Sequence, residues 1–277
     1  MGDVYFENPA GTFQVSHRKA LSHHMPASHF HGTYEIYYLM SGKREFFIQD
    51  RTIAINEGDV VIIAPNILHR TTNAERPKHE RFIINMHERL FSSDGSHKEA
   101  LGPLLERDYL ILNDSLQHRQ LIETLSRTIL QEIRERGSGF ELFAQTLAVQ
   151  LLIACCRRFR EQGAEPPASP SPMHERISEI VRYINEHYME ELSLHVLSDK
   201  FYFSPYYLSR SFKEVTGFAF VEYVNSVRVK EAIKLLESSA MKVNLIARKV
   251  GFGSVTHFGR VFKEVTGNAP LRYRRRG

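Results

Sequence analysis

The sequence predicts an α+β protein of two domains, an N-terminal antiparallel β-barrel with attached helices and a C-terminal domain built of helices. Three observations predict this class. Short strand-like segments recur in about the first ninety residues, four prolines interrupt the chain within residues 162–172, and the hydrophobic period after them is helical. We therefore expect domains at residues 1–161 and 173–277, joined by a linker at 162–172.

The predicted strands of the N-terminal domain are short and separated by turn signals such as Ser41-Gly42 and Glu57-Gly58-Asp59. Strands at this regular spacing are typical of a sandwich or a small barrel. The segments lie at residues 34–40, 45–49, 52–56, 60–64 and 81–86.

Two amphipathic or apolar helices are predicted next, at about residues 117–136 and 140–160. The second is apolar on more than one face, and such a helix needs two packing partners. One partner is its own domain, and we expect the other to be a second subunit, so that these helices form a homodimer.

Composition excludes several classes of protein. The chain is 42% hydrophobic and 25% charged, as in ordinary globular proteins. It contains no run of about 18 apolar residues that would predict a membrane helix. Its N-terminus lacks the pattern of a signal peptide, and its cysteines, Cys155 and Cys156, are adjacent and build no disulfide framework. We expect a cytoplasmic protein that does not bind membranes.

The positive charge is concentrated in the C-terminal third. Residues 174–277 carry 17 Lys and Arg against 11 Asp and Glu, a net charge of +6, whereas the rest of the chain has a net charge of −2. A basic module attached to a nearly neutral domain indicates a polyanion as the partner.

This basic module contains an internal repeat. The sequence Phe-Lys-Glu-Val-Thr-Gly at residues 212–217 recurs unchanged at residues 262–267. The similarity extends backwards, from Arg210 and Arg260 to Phe203 and Phe252. Repeats of this kind indicate a duplicated structural unit.

Each copy predicts two helices joined by a tight turn. In the first copy Ser193 can cap one helix, and Ser204 followed by Pro205 predicts the start of the next, which ends at Gly217. Two helices in this arrangement form a helix-turn-helix, whose second helix enters the major groove of DNA. A helix predicted at residues 220–237 connects the copies and spans roughly 27 Å, which compares with roughly 34 Å between successive major grooves.

Residues 174–277 resemble the DNA-binding domain of AraC-type transcription regulators. The stretches that carry the resemblance are Leu-Ser-Arg-Ser-Phe-Lys at 208–213, Val-Gly-Phe-Gly at 250–253, Phe-Gly-Arg-Val-Phe-Lys at 258–263 and the terminal Pro-Leu-Arg-Tyr-Arg-Arg. The resemblance implies a regulator rather than an enzyme, which binds double-stranded DNA and activates by recruiting RNA polymerase. Implied base contacts come from Tyr206, Ser209, Arg210, Val255, Thr256, Gly259 and Arg260.

The sequence also departs from the family's pattern. Tyr202 stands where the first unit usually has its turn glycine, so we expect a strained turn there.

Other polar and basic residues are predicted to contact DNA phosphates, and such contacts supply affinity without sequence reading. They are Ser204, Lys213, Arg228, Lys263, Arg272, Arg274, Arg275 and Arg276.

The N-terminal domain carries a histidine motif. His29, His31 and Glu35, followed by Gly42, are spaced as in metal-binding cupins, and the segment from Gly58 to His69 resembles the second cupin motif. This resemblance implies a cupin-like barrel.

Imidazoles and a carboxylate suit Zn, Mn or Fe(II), so His29, His31, Glu35 and His69 are candidate metal ligands. The alternative is that these residues, with Tyr37, line an effector pocket and that no cofactor is present. Tyr38 and Arg70 are further candidates for the pocket wall, although Tyr37 and Tyr38 point to opposite faces.

Three functions remain open from the sequence. The first is a dimeric activator whose small-molecule effector, first expected to be a sugar, binds in the barrel. The second is a metal-dependent cupin enzyme with an added DNA-binding module. The third is a constitutive regulator whose barrel is only a dimerisation scaffold.

Overall fold

The computed structural model describes residues 2–20, 31–72, 78–91, 97–113, 116–162 and 171–274. The predicted site residues His29, Arg275 and Arg276 lie outside the described residues. The described chain forms an N-terminal α+β domain followed by a helical domain, as predicted from the sequence.

The N-terminal domain contains more strands than the sequence predicts, because several are short or polar. The described strands are β1 (Val4–Glu7), β2 (Phe13–Ala20), β3 (Tyr34–Ser41), β4 (Lys43–Ile48), β5 (Arg51–Asn56), β6 (Val60–Ile63), β7 (His69–Thr72), β8 (His79–Met86) and β9 (Tyr109–Leu112).

Hydrogen bonds divide these strands into two antiparallel sheets. The large sheet has the order β1-β2-β8-β3-β6-β9, and the small sheet has the order β5-β4-β7. A single closed ring of strands does not form among the described residues, so the barrel prediction is not confirmed. The two inner faces enclose an apolar cluster that includes Tyr37, Phe46 and Ile53.

Helices cover the outer face of the large sheet. They are α1 (His97–Leu105), α2 (Leu116–Glu135) and α3 (Phe140–Gln162). Tyr38 packs on this side and Tyr37 on the other, which confirms that they point to opposite faces. Both side chains are buried, because the helices cover one face and the small sheet the other.

The helix α3 is long and apolar enough to cross a membrane by length and composition, which the sequence analysis did not expect. Core helices of globular proteins meet the same criterion. Here Ala148, Leu151, Leu152 and Cys156 of α3 are buried in the core of the N-terminal domain, and this packing explains the apolar composition.

The C-terminal domain consists of helices throughout its described length. They are α4 (Pro172–His187), α5 (Leu194–Phe201), α6 (Pro205–Thr216), α7 (Phe220–Ser238), α8 (Val243–Lys249), α9 (Val255–Thr266) and α10 (Pro270–Arg274). The first of them, α4, begins at the last residue of the predicted linker.

The predicted helix ends are confirmed. The hydroxyl of Ser193 accepts a hydrogen bond from the backbone N–H of Val196, and that of Ser204 accepts one from Tyr207. Gly217 and Gly267 end α6 and α9 with φ angles of 77° and 74°. Glycine adopts this left-handed conformation without steric cost, so both copies of the repeat end in the same way.

The two domains pack against each other through the small sheet. Phe47 and Leu68 belong to the core cluster of the C-terminal domain, and the Phe47 ring lies 5.8 Å from that of Phe218 and 5.9 Å from that of Tyr223. The sequence analysis expected only a linker at residues 162–172 between the domains, and it did not predict this contact.

The turns of the two helix-turn-helix units differ in strain. Tyr202 follows α5 with φ 58° and ψ 49°, and its side chain is 91% exposed. The corresponding residue of the second unit is Gly251, with φ 90°. A Cβ atom at Gly251 would lie 2.8 Å from the carbonyl oxygen of Tyr188 and 2.9 Å from that of Met189.

We predict opposite effects of substitutions at these equivalent positions. Tyr202→Gly should raise the free energy of unfolding by about 0.5–1 kcal/mol, because it removes the left-handed strain of an exposed residue. Gly251→Ala should lower the free energy of unfolding by about 2 kcal/mol or more, because the added methyl group meets backbone atoms. Chemical denaturation of both variants measures the two changes, and a destabilised Tyr202→Gly would contradict the assignment of strain.

Candidate DNA interface and inter-sheet site

One face of α6 is polar and exposed. Tyr206, Ser209, Arg210 and Lys213 occupy positions i, i+3, i+4 and i+7, so they share one side of the helix. The side chain of Tyr206 is 80% exposed. The opposite side is held in the core by residues that include Phe212, so the polar face is presented to solvent.

The helix α9 repeats this arrangement. Thr256, Gly259, Arg260 and Lys263 lie at the same spacing, and Val255 is exposed at the first position of the helix. The second face presents one large cationic residue, Arg260, near its middle, whereas Gly259 adds no side chain. The positions predicted to contact bases are therefore solvent-accessible in both helices, with Gly259 half-buried.

Two of the residues predicted to contact phosphates make hydrogen bonds within the protein instead. The Nε and Nη2 atoms of Arg228 each donate a 2.8 Å hydrogen bond, to the carbonyl oxygens of Tyr188 and Glu190. Arg274 likewise donates from Nη2 to the carbonyl oxygen of Met241. Both guanidinium groups fasten one part of the domain to another, so we correct their assignment from phosphate binding to structure.

The other described candidates for phosphate binding remain at the surface. Lys213, Lys263 and Arg272 are exposed. Ser204 is exposed as well, but its hydroxyl oxygen already caps α6. Its assignment as a phosphate contact stays a prediction.

A second polar site lies between the two sheets. The carboxylate of Glu35, on β3, is buried and faces two imidazoles. Nε2 of His31 is 3.0 Å from Oε2 of Glu35, and Nε2 of His69 is 3.7 Å from Oε1. Asn85 of β8 donates to Oε2 from 3.1 Å. The ligand atoms of His31, Glu35 and His69 all lie within 4.8 Å of one another.

The route by which His31 reaches Glu35 differs from the prediction. The odd numbers of His31 and Glu35 predict that they share one face of a single strand, whereas β3 begins at Tyr34 and His31 lies three residues before it. Its Nδ1 atom lies 2.9 Å from the carbonyl oxygen of Thr33. This contact turns the ring so that Nε2 points at the carboxylate.

Backbone carbonyls orient both imidazoles. Nδ1 of His69 lies 2.8 Å from the carbonyl oxygen of Ile67. A carbonyl oxygen only accepts hydrogen bonds, so Nδ1 of His69 carries a proton. Nδ1 of His31 lies 2.9 Å from both the carbonyl oxygen and the hydroxyl of Thr33. The two Nε2 atoms that face Glu35 therefore interact favourably with it when they are protonated or when they share a cation with it.

The charges of this site are strongly coupled. Burial alone would raise the pKa of Glu35, but His69 and His31 together outweigh it and hold that pKa well below its usual value. Burial lowers the pKa of His31, whereas its hydrogen bond to Glu35 raises it, with a net increase.

The strands of the small sheet connect this site to the C-terminal domain. Side chains alternate between the two faces of a strand. On β4, Phe46 faces inwards and stacks on His69, whereas Phe47 faces outwards to Phe218. On β7, His69 faces inwards, whereas the guanidinium of Arg70 lies 5.3 Å from the centroid of the Phe218 ring.

Polar contacts reinforce the domain interface. The hydroxyl of Thr52, on β5, donates to the carbonyl oxygen of Val215 in the last turn of α6, at 3.0 Å. The Tyr223 hydroxyl donates to the carbonyl oxygen of Gln49 at 2.9 Å. The recognition helix of the first unit is thereby attached to the N-terminal domain at its C-terminal end.

Sequence reasoning brought Glu35, Tyr37 and His69 to one side of the domain, and the structure does place all three on inner faces. It missed Asn85 because an isolated amide in an apolar strand gives no motif. Arg70, considered as a pocket wall, points to the other domain instead. The alternation of β7 would have indicated this, because His69 and Arg70 are neighbours.

An antiparallel sheet domain with an enclosed polar site, followed by two exposed recognition helices, defines a DNA-binding protein with a ligand-binding domain. Residues 13–152 match the family model described as AraC-like ligand binding domain, and residues 197–276 match one described as helix-turn-helix domain. The chain belongs to the AraC family of transcription regulators.

Several known proteins are similar to this chain. An uncharacterised helix-turn-helix transcriptional regulator of Bacillus subtilis, YisR, is 23% identical over 87% of this chain and 85% of its own length. The transcriptional activator RhaS of Escherichia fergusonii is 26% identical over 86% of this chain and 78% of its own length. Among solved structures, the C-terminal domain of the response regulator AraT from Geobacillus stearothermophilus is 30% identical, with a TM-score of 0.37, and covers 39% of this chain and 89% of its own.

We predict that Phe47→Ala loosens the contact between the domains. Truncating a buried phenylalanine costs about 3–5 kcal/mol, and here part of that loss falls on the interface. Hydrogen exchange of the α6 and α7 amides should become faster. Phe13→Ala, which truncates a buried ring within the N-terminal domain, is the control and should leave these amides protected. Unchanged exchange of α6 and α7 in Phe47→Ala would show that the contact does not couple the domains.

Proposed function

We propose that the protein is a dimeric transcription activator that reads DNA with α6 and α9 and is controlled by a small-molecule effector bound between the sheets of its N-terminal domain. The observation that carries the proposal is the duplicated exposed face, Tyr206, Ser209, Arg210 and Lys213 on α6 and its counterpart on α9. A polar face on a helix capped at its N-terminus by serine suits the major groove. Activation by contact with RNA polymerase, and a cytoplasmic location, belong to the proposal through the resemblance to the family.

Within this proposal α6 and α9 make different contacts with DNA. Arg210 and Arg260 can each pair bidentately with guanine, and Tyr206 can contact a thymine methyl group. Ser209 and Thr256 offer hydroxyls to base edges, whereas Val255 offers only apolar contact. The second unit therefore contributes less sequence reading and more anchoring than the first.

Dimer formation is supported by exposed apolar side chains on the N-terminal helices. Leu142 and Phe143 of α3 are 67% and 49% exposed, and Leu121 of α2 is 45% exposed. Exposed apolar residues on two helices that pack together favour an interface. We propose that α2 and α3 meet the same helices of a second copy.

The contact between the domains suggests how an effector would act. A ligand that binds between the sheets and displaces β4 or β7 also moves Phe47 or Arg70, which contact the C-terminal domain. If the ligand binds one arrangement of the domains more tightly, it shifts the population towards that arrangement. The effector would thereby change the affinity for DNA.

The proposal is tested by footprinting the full chain on the DNA upstream of its own and neighbouring genes, with and without a panel of metabolites. Protection of two successive major grooves on one side of the duplex is expected from each chain. Protection of a single major groove would contradict the use of both α6 and α9 to read DNA. A footprint that no metabolite changes would contradict the effector control.

We predict different consequences for the reading and the anchoring residues. Arg210→Ala should relax specificity at one base position, with a loss of about 1–3 kcal/mol of discrimination. Lys213→Ala should weaken binding to all sequences alike and reduce the salt slope by about 1. Arg89→Ala, at an exposed position of the N-terminal domain outside α2 and α3, is the control and should change neither. Identical behaviour of the Arg210 and Lys213 variants would overturn the division.

A second candidate function, a divalent metal site, is favoured by the orientation of the two imidazoles. Both Nδ1 atoms face carbonyl oxygens, so both Nε2 atoms are directed to Glu35, as in metal sites whose histidines are oriented by hydrogen bonds. Oε1 of Glu35 accepts no hydrogen bond within the described part of the chain. Two imidazole nitrogens and a carboxylate suit a first-row divalent ion such as Zn²⁺. A bound ion would join the bend at His31 to β3 and β7.

We predict that Co²⁺, used as a spectroscopic probe for Zn²⁺, binds the chelator-treated protein at about one ion per chain and that Glu35→Gln abolishes this binding. Glu80→Gln is the matched control, because Glu80 pairs with His17 at 2.9 Å outside this site. His31→Gln serves as a second variant if Glu35→Gln does not fold. Equal Co²⁺ absorption in Glu35→Gln, His31→Gln and Glu80→Gln would exclude the site.

A further inference from the structure

An arginine lies against the turn of each helix-turn-helix unit. In the first unit, the Cζ atom of Arg176, on α4, is 4.0 Å from the centroid of the Phe203 ring. In the second unit, the Cζ atom of Arg228, on α7, is 5.7 Å from the centroid of the Phe252 ring. A cation within about 6 Å of a ring centroid is attracted by the face of the ring. Phe203 and Phe252 are equivalent in the repeat, so the same contact occurs twice.

The two phenylalanines also contact the recognition helices. The Phe203 ring stacks on Tyr207 with the centroids 5.9 Å apart, and the Phe252 ring lies edge to face with His257 at 5.6 Å. Tyr207 and His257 are the third residues of α6 and α9, and their backbone N–H groups donate to the capping serines. Each recognition helix is therefore held at its N-terminal end, which is the end that enters the major groove.

Arg176 also binds the backbone just before the first turn. Its Nη2 atom donates to the carbonyl oxygen of Phe201, the last residue of α5, at 3.1 Å. The last carbonyls of a helix lack partners within the helix, so a guanidinium at this end is favourable. Arg176 thus contacts the residues on both sides of Tyr202, whose left-handed conformation has a steric cost. A strained conformation of this kind persists where the surrounding contacts fix it.

Arg228 contacts the second turn in a different way. Its hydrogen bonds to the carbonyl oxygens of Tyr188 and Glu190 hold the guanidinium beside Gly251. A Cβ atom at Gly251 would lie 3.0 Å from Nε of Arg228. Glycine adopts the left-handed conformation freely, so this arginine compensates no strain. It places the second turn against the segment that follows α4.

We propose that Arg176 and Arg228 are positioning residues for DNA recognition, and that each orients one recognition helix through the phenylalanine of its turn. The helix α4 precedes α5 and α6 as α7 precedes α8 and α9, so each unit has its own arginine. The inference rests on the proposed reading of DNA by α6 and α9 and names the residues that fix their orientation. Orientation matters because a bidentate contact with a base requires two aligned hydrogen bonds.

The test measures the two half-sites separately. The full wild-type chain enriches sequences from a pool of random duplex DNA, and the base position at which Arg210→Ala loses specificity identifies the half-site of α6. Discrimination is the Kd for a duplex with one half-site scrambled, divided by the Kd for the intact duplex. All measurements are made well below the Tm of each variant.

We predict that Arg176→Gln lowers discrimination at the α6 half-site by about threefold or more and leaves the α9 half-site unchanged. Arg228→Gln should have the reverse effect. Lys234→Gln is the matched control and should change neither ratio, because Lys234 is an exposed cation of α7 that pairs with Glu231 at 2.7 Å. A residue needed only for stability would not affect one half-site alone, so equal losses at both half-sites would overturn the proposal.

A second variant tests whether Arg176 acts through the ring. Phe203→Leu keeps an apolar side chain without the aromatic face and should also lower discrimination at the α6 half-site. The double variant should lose less than the product of the two single losses, because both substitutions remove the same contact. Losses that multiply would overturn the action through Phe203. Phe252→Leu takes the place of Arg228→Gln if that variant does not fold.

A direct phosphate contact by Arg176 gives a different result. Arg176→Gln would then weaken binding to every duplex alike and reduce the salt slope by about 1, and Arg176→Lys would restore both. That outcome would overturn the positioning role.

The inference and the proposed function fail in different ways. If the wild-type chain enriches no sequence, or a sequence with one half-site, the proposed reading by both helices is wrong and the inference fails with it. If the wild-type chain enriches two half-sites and the arginine variants discriminate as it does, the positioning role alone is wrong.

Discussion

The alternation of side chains along three short strands is the constraint on which the molecule's organisation depends. In the small sheet, each residue that faces the polar interior is followed by one that faces the helical domain. Phe46 stacks on His69 while its neighbour Phe47 packs between Phe218 and Tyr223. A sheet of three strands is thus at once the wall of the ligand-binding domain and the docking surface of the DNA-binding domain. A shift of the small-sheet backbone therefore displaces side chains in the interior of the N-terminal domain and side chains that contact the C-terminal domain.

This arrangement also explains why the interior can hold charge. Glu35, His31 and His69 form one coupled group. Arg44 and Arg81 are also buried, and the charge of Glu45 on Arg44 acts against that of Arg81. Apolar side chains such as Ile83 and Phe46 lie on the same inner faces. Buried charged groups cost stability unless they are paired, and the carboxylate of Glu35 pairs with both imidazoles here.

Much of the C-terminal domain could be predicted from the sequence because its signals are local. Serine caps, glycine ends and the repeated hexapeptide act within a few residues, and the structure places them as expected. The polar strand β7 and the short strands β1 and β9 could not be predicted, because pairing with distant strands stabilises them rather than their own composition. Nor could Arg228 be recognised as structural, since its partners are backbone carbonyls that any sequence supplies. Within the N-terminal site, the His and Glu motif was visible, whereas Asn85 matches no pattern and reaches Glu35 only through the pairing of β8 with β3.

The hydrogen bond from Thr52 to Val215 gives the two recognition helices unequal positions in the molecule. The end of α6 is joined directly to the N-terminal domain, while α9 lies beyond α7. Under the proposed effector control, a ligand that shifts the small sheet would tilt α6 relative to α9. Such a ligand would then change the spacing between the two DNA half-sites as well as the strength of binding.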